Sequence, residues 1–274
     1  MRRSFAVFAL SLVSVFSVGS PASAQNVQAS QCQAIAEALP GATFASFGGA
    51  SLLPVQASAQ EVRITYLGHS TFHLETPGGI SIATDYNGWY TPPQLPDVVT
   101  MNKAHSTHYT MTPDPGIKQV LQGWNPEGGP ADHDVVVGDA YIRNVTTDIR
   151  SGYGAMEPDA NSIFIFEVAG LCIGHLGHLH HTLTDKHYAE IGRLDVVMVP
   201  VDGGLTMGAQ GMSEVVTRLR SALILPMHRR GPPITAFLQL FDTSFDVVFS
   251  PDTSITVSLA SLPRKPTIHI LSGV

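Results

Sequence analysis

Twelve histidines punctuate this chain, and most of them fall in four short stretches: His69 in YLGHSTF, His105 and His108 in KAHSTH, His175, His178, His180 and His181 in IGHLGHLHH, and His228 in LPMHRR. Each stretch stands at or just past the end of a strand-like apolar run. Neutral imidazole is the commonest side-chain ligand for zinc and its neighbours. A lone histidine at a strand end is ordinarily a hydrogen-bonded structural residue, but four groups at strand ends, where the loops of one sheet edge converge, point to a metal site. Not all should be ligands. His175 alternates with Cys172 along a strand and reads as a satisfied core residue, and His69 is expected to pack beneath the site and hydrogen-bond a loop. Asp202-Gly203-Gly204 reads as a turn at the rim. Arg229 and Arg230 could clamp an anion or simply be a solvated pair.

The elements that must carry these residues begin at Glu61. EVRITYL, STFHLET, GISIAT, DVVTM, HDVVVG, YIRNVTT, SIFIFEV and LCIGH are short strand-like runs separated by Gly, Pro, Asp or Asn. Strand and helix then alternate: a helix from about Thr184 to Ile191, the strand DVVMVPV, a helix from about Met212 to Leu219, the strand ALILPM, a short helix near Thr235 to Leu240, and the strands FDVVF, SITVSL and TIHIL. Strands first and alternation afterwards predict sheets sandwiched between helices, an α/β (α+β) architecture.

Upstream, two arginines, an apolar stretch from Phe5 to Val18 and the small-x-small site Ala22-Ser23-Ala24 have the form of a cleaved export signal, residues 1–24. The apolar stretch is shorter than the ~20 residues a bilayer needs. The expectation is a chain that is extracytoplasmic, periplasmic or secreted, with no membrane attachment after cleavage. Residues 25–60, rich in Ala, Ser, Gln and Gly, form a leader with one helical pattern from Gln31 to Leu39, and residues 61–274 form the domain. A net charge of -7 with 14% charged residues and no Lys/Arg run argues against a nucleic-acid surface; a small molecule is the expected partner. Cys32 and Cys172 are either paired in an oxidising compartment or, for Cys172 at least, a buried free thiol.

One ordered series carries a resemblance. YLGHSTFHLET is followed by ISIATD, then DVVTMNKAHSTH, NSIFIFEVAGLCIGHLGHLHHTLTD, AEIGRLDVVMVPVDGGLTM and ALILPMH. The series resembles the metallo-β-lactamase superfamily, in particular its ascorbate-6-phosphate-lactonase-like branch, over roughly residues 61–271. The resemblance implies an αββα sandwich, two mixed β-sheets flanked by helices, with a metal site at one sheet edge. It also exposes departures. Where the family reads H-x-H-x-D-H, this chain has Lys103, His105, Thr107 and His108 in frame, so the first histidine and the aspartate are missing. A family histidine before the NSIFIFE-like strand has only Asp148 near its place, and the metal-bridging aspartate of H-L-G-D is His178.

By position the resemblance makes His105, His108, His178 and His228 the candidate ligands, with Asp148 a weaker fifth. Asp85 matches a carboxylate that braces the histidine loop, joining His69 in outer support, and His181 falls where the family keeps a histidine for substrate contact. Lys103 would place its ammonium in the vacated first metal position and stabilise a developing oxyanion, or else extend to solvent from an altered loop. The losses fall mainly on one of two metal positions. The expectation is therefore one divalent cation, zinc with iron or manganese as alternatives, in an exported hydrolase of small esters, lactones, amides or phosphoesters. The alternative is a non-catalytic descendant that keeps the fold to bind a ligand or metal.

Overall fold

The computed structural model describes residues 30–33, 60–150 and 154–274. The signal-like start, its cleavage site and most of the leader lie outside the described residues; Gln31 to Gln33 are helical, as the pattern from Gln31 requires. Two sheets face each other. One runs β13 (Ser254–Val257), β1 (Val62–Gly68), β2 (Thr71–Glu75), β3 (Ser81–Ala83), β4 (Val98–Met101), β5 (Gln119–Gln122). The other runs β12 (Asp246–Phe249), β14 (Thr267–Ile270), β11 (Leu223–Met227), β10 (Val196–Pro200), β9 (Leu171–His175), β8 (Met156–Val168), β7 (Ala140–Arg150), β6 (Asp134–Val137). Both sheets are mixed. The short strand β5, QVLQ, is additional to the sequence reading, because two glutamines around two apolar residues give too little contrast to register as a strand.

Strand alternation builds the core. Ile64, Phe72, Leu74 and Ile82 of the first sheet pack against Ile142, Phe164, Phe166, Met198 and Leu225 of the second, and each is fully buried. Full burial of such a side chain stabilises the fold by about 1.5–3 kcal/mol. The opposite face of the second sheet, with Ile163, Ile165, Val197, Val199 and Ile224, is covered by α1 (Asp185–Ile191), α2 (Ala209–Leu219) and α3 (Ile234–Leu238), through Ile191, Met212, Val215, Val216 and Phe237. Helix α1 starts where the sequence places it: Thr184 Oγ1 accepts from His187 N, and His187 Nδ1 accepts from Thr184 N, a reciprocal cap that satisfies two otherwise orphaned donors. The outer face of the first sheet is covered differently. Among the described residues it carries no helix, and Ala83, Val99 and Met101 are roofed by Tyr86, Ile117 and Trp124 from loops. The expected sandwich is present, with its helices on one side.

Cys32 and Cys172 form a disulfide, which decides between the two readings of these cysteines. It closes a sequence separation of 140 residues, worth about 5 kcal/mol if its effect is to restrict the unfolded chain. The bridge does not act alone. Glu167 accepts hydrogen bonds from Ser30 Oγ, Gln31 N and Cys32 N, and pairs with Arg143, whose other guanidinium nitrogens donate to the carbonyls of Glu190 and Ile191. Residues 30–33 are thereby tied to the second sheet and to the end of α1. No helix among the described residues is long and apolar enough to cross a membrane.

Strand direction decides where the histidines meet. β1 is antiparallel to β2 and β2 to β3, while β3, β4 and β5 are parallel, so β1, β3 and β4 all run the same way. In the other sheet β9, β10 and β11 are parallel to one another. Every histidine stretch, and each aspartate following an apolar strand, therefore emerges at a carboxyl-terminal strand end, the edge where sheets of this kind bind ligands.

Candidate metal centre

Five imidazoles converge at that edge. His69 comes from the β1–β2 turn, His105 and His108 from the loop after β4, His178 from the loop after β9 and His228 from the residue after β11. Ring centroids of His105, His108, His178 and His228 lie 4.5–5.7 Å apart. Those four are the ligands named from the sequence, and the fold brings them together. His69 stands among them, not beneath them. Its ring is 4.1 Å from His228 and 5.1 Å from His108. One ligand nitrogen from each of His69, His105, His108 and His228 lies within 4.8 Å of the others. The turn after Gly68 is what places His69 there, in a group the sequence reading put it behind.

One carboxylate sets a tautomer and a second stands close by. Asp85 Oδ2 accepts from His108 Nδ1 at 2.5 Å, whereas Asp202 Oδ2 lies 2.8 Å from His228 Nδ1 without the alignment of a hydrogen bond, so that both ring nitrogens of His228 lack a hydrogen-bond partner among the described residues; all four side chains are fully buried. An imidazole that gives its Nδ1 proton to a carboxylate presents a lone pair at Nε2. His108 Nε2 and His228 Nε2 are buried and have no hydrogen-bond partner among the described residues, and His69 Nε2 shares that condition. Buried polar atoms are almost always satisfied, so orphaned ring nitrogens on three residues of one close histidine group fit a cation. His105 Nε2 and His178 Nε2 are 3.1 Å apart. Two nitrogens on one tetrahedral zinc stand about 3.3 Å apart, given bonds of 2.0–2.1 Å, so this separation suits a shared ion as well as a hydrogen bond.

The aspartates are held in turn. Burial alone would raise the Asp85 pKa, but the fields of His108 and His175 and the hydrogen bonds from His108 and Asn102 outweigh it and keep the carboxyl below the usual range. At Asp202 the same opposition resolves the same way, through His228, Gly204 and Thr206. The Asp202 turn is thus no mere rim: Oδ1 accepts from Gly204 N and from Thr206 N and Oγ1 while Oδ2 faces His228. The imidazoles move the other way. Burial, then mutual repulsion among His228, His108 and His105, lowers His69 to about 3, and burial with the fields of His108 and His228 lowers His105 to about 4. His178 and His108 are lowered mainly by burial too. His69, His105, His108 and His178 are therefore neutral near pH 7, the form that binds metal.

A polar network that the sequence reading did not single out links the sheets behind the cluster. Asn102 Nδ2 donates to Asp85 Oδ1 at 2.9 Å and Asn102 Oδ1 accepts from Ser162 N at 2.7 Å, while Asn161 Oδ1 accepts from His178 N at 2.7 Å. Gly177 makes that approach possible: with φ +59 and a Cβ that would stand 2.4–2.5 Å from Asn102 and Asn161, no other residue fits. The signal was an asparagine at the join between apolar run and histidine loop, MNKAH, and another opening NSIFIFE. His69, Asp85 and His228 all have positive φ, 52, 43 and 53. Such backbone in a non-glycine residue costs of order 1–3 kcal/mol and gathers at functional sites.

Three sequence-derived assignments do not place a side chain in the cluster. Lys103 Nζ pairs with Glu157 Oε1 at the surface, its side chain 44% exposed, so its ammonium does not occupy the vacated metal position. The correction is steric: after Asn102 turns inward to Asp85, the next residue points out. Asp148 Oδ1 accepts from Asp159 N within the β7–β8 hairpin, which uses the carboxylate structurally. His181 stands further along the loop, its ring 6.1 Å from His180, which in turn is 4.5 Å from His178; it is half-buried, with Nε2 unpartnered among the described residues. His175 is the expected core histidine, with Nε2 2.8 Å from Ser70 O and Nδ1 accepting from Gly177 N.

Residues 63–228 match the family described as Beta-lactamase superfamily domain, a segment holding every histidine of the cluster. The chain belongs to that family. Among relatives of this beta-lactamase superfamily chain, a metal-dependent hydrolase of Anaeromyxobacter dehalogenans (strain 2CP-1) is 26% identical over 211 residues, covering 63% of this chain and 76% of the relative. One from Pyrococcus furiosus is 26% identical over 202 residues, 64% of this chain and 88% of the relative. In structure, a proposed zinc-dependent hydrolase of the metallo-beta-lactamase superfamily from Thermotoga maritima superposes with a TM-score of 0.55 at 29% identity, over 77% of this chain and 98% of that one. At the level of the superfamily, the resemblance read from YLGHSTF to ALILPMH and the two-sheet fold it implied are both confirmed.

Proposed function

We propose that the protein is a metal-dependent hydrolase that acts on a small ester, lactone, amide or phosphoester at a single-cation centre. The observation that carries this reading is the pair of buried carboxylate–imidazole couples, Asp85–His108 and Asp202–His228, whose Nε2 atoms have no protein partner among the described residues and whose rings share one close group with His69 and His105, with His178 beside it. A divalent cation bound there would polarise a substrate oxygen and bring the pKa of a water close to 7. The residues do the rest. Asp85 fixes the tautomer and orientation of His108, and Asp202 sets its negative charge beside His228 Nδ1. The all-imidazole set suits zinc, and iron after it, better than manganese, which prefers carboxylate and water. With the family's aspartate positions filled by Thr107 and His178, and Asp148 engaged in its hairpin, the oxygen donors that would hold a second cation are missing from the cluster. Tyr90, stacked 6.5 Å from the His69 ring, gives the cluster an apolar wall, and we assign His181 to substrate contact from the outer side.

We propose further that the chain is exported, with the mature protein starting at Gln25. The signal-like residues 1–24 and the Cys32–Cys172 disulfide support this, since such bridges persist in oxidising compartments. Intact-mass measurement of exported protein beginning at Met1 would refute it. The hydrolase reading is tested by elemental analysis of the purified protein alongside chromogenic ester, lactone and phosphodiester substrates, for the parent, His108→Ala and His228→Ala. About one equivalent of cation and turnover lost in both variants is the expected result. Two tightly held cations would overturn the single-cation centre, and no binding under any loading condition would overturn the metal reading itself.

A further inference from the structure

We infer that His69 is a direct ligand of the cation, supplying from the β1–β2 turn the imidazole this chain lacks at Lys103. The inference rests on the metal-centre reading above and goes beyond it, since neither the histidine loop nor any strand-end motif after it assigns His69 such a part. The argument is one of satisfaction. A structural histidine spends its ring nitrogens on hydrogen bonds, as His175 does with Ser70 O and Gly177 N. His69 does the reverse. Its main chain is held firmly, the carbonyl accepting from His228 N at 2.6 Å and Tyr66 Oη at 3.0 Å. Its ring Nε2 is buried without a partner among the described residues.

The backbone points the same way. At φ +52 the residue sits in the left-handed region, which few non-glycine residues occupy, asparagine, aspartate and histidine more than others. Glycine would occupy this turn with less strain, so the imidazole stands there at a conformational cost. What it gains is position: its ring stands 4.1, 5.1 and 5.7 Å from those of His228, His108 and His105, and one ligand atom from each of the four lies within 4.8 Å of the others. The His228 N–H bond to the His69 carbonyl also locks these two ligands to each other across the two sheets. The set His69, His105, His108, His228 contains no carboxylate. A cation held by neutral donors alone keeps its full double charge, and such a site takes nitrogen-preferring late cations, zinc, copper or nickel, in preference to magnesium, calcium or manganese.

The test uses the full-length mature protein, stripped of metal and titrated with zinc against a competing chelator, with the cobalt(II)-loaded form followed by its visible absorption. His69→Asn and His69→Gly both tolerate the left-handed turn, so they remove the imidazole without forcing the backbone. We expect each to weaken zinc by roughly tenfold or more, to change the cobalt absorption, and to leave the metal-free protein at least as stable as the parent. Manganese should fail to compete with zinc in the parent. Zinc affinity within twofold of the parent and an unchanged cobalt spectrum in both variants would show that His69 is not a ligand while the centre itself stands. A parent that binds no zinc would overturn the centre and this inference together.

Discussion

Replacing Asp85 by Asn separates charge from shape at the buried heart of the centre. The two side chains are nearly isosteric, and the site is fully closed, so solvent cannot repair a mismatch. Asp85 accepts two hydrogen bonds, from His108 Nδ1 at 2.5 Å and from Asn102 Nδ2 at 2.9 Å. Asparagine has one acceptor. If its oxygen faces His108, its NH2 confronts the NH2 of Asn102, which cannot turn over because its own oxygen is committed to Ser162 N at 2.7 Å. If the NH2 faces His108 instead, Nδ1 must become the acceptor and the proton moves to Nε2, where it blocks the lone pair that a cation needs. Either orientation costs one buried polar contact, about 1–3 kcal/mol. In binding we expect zinc affinity to fall by roughly 10- to 100-fold, about 1.4–2.7 kcal/mol. Chelator competition measures the affinity, and nitrogen chemical shifts of the His108 ring report which tautomer is present. An affinity within twofold of the parent, with the Nδ1–H tautomer retained, would refute the argument that Asp85 acts by setting the ring.

Three further outcomes follow from the geometry. Metal-free protein should lose stability as pH falls from about 6.5 towards 4: burial holds His69 at about 3 and His105 at about 4, so the unfolded chain takes up protons in this window while the native state does not. The slope should be at most ~1.4 kcal/mol per pH unit for each of the two, readable by denaturant unfolding at pH 7.5, 5.5 and 4.5, and a flat profile would contradict it. Gly177→Ala should destabilise the fold by roughly 1–3 kcal/mol through its positive φ and its clash with Asn102 and Asn161; a melting temperature equal to the parent's would count against the network. Lys103→Ala should change stability by no more than about 1 kcal/mol and leave cation content and turnover near the parent's, because its partner is an exposed Glu157; a large loss of turnover would restore the lysine to the site.

Much of the fold was legible because the strands obey a simple contrast. EVRITYL becomes a strand close to its own bounds, while SIFIFEV is the buried end of a strand that begins six residues earlier, at Met156, in the polar stretch MEPDAN that carries no such contrast. The four histidines after β4, β9 and β11 were legible for the same reason, since parallel strands deliver their ends to one edge. His69 was not, because its inward turn depends on φ and on hydrogen bonds from Tyr66 and His228, neither of which leaves a mark in local sequence. Lys103 failed for a related reason. Position in a motif says which residues share a loop, and Asn102, reaching Asp85, decides which way the next side chain turns. Asp202 was readable in principle, for VVMVPVD ends as ISIATD does, with an aspartate closing an apolar strand.

The left-handed histidines His69 and His228 carry a warning for anyone who evolves or redesigns this enzyme. Substitution by glycine at such positions relaxes the native backbone, so a selection that rewards heat resistance alone will find these sites early. Each gain would come from dismantling the cluster. Libraries screened for solubility or melting temperature should therefore accumulate folded, durable and inert clones, and thermal robustness in this scaffold will be a poor surrogate for activity unless the metal is present during selection, when its binding favours the strained histidines over their relaxed replacements.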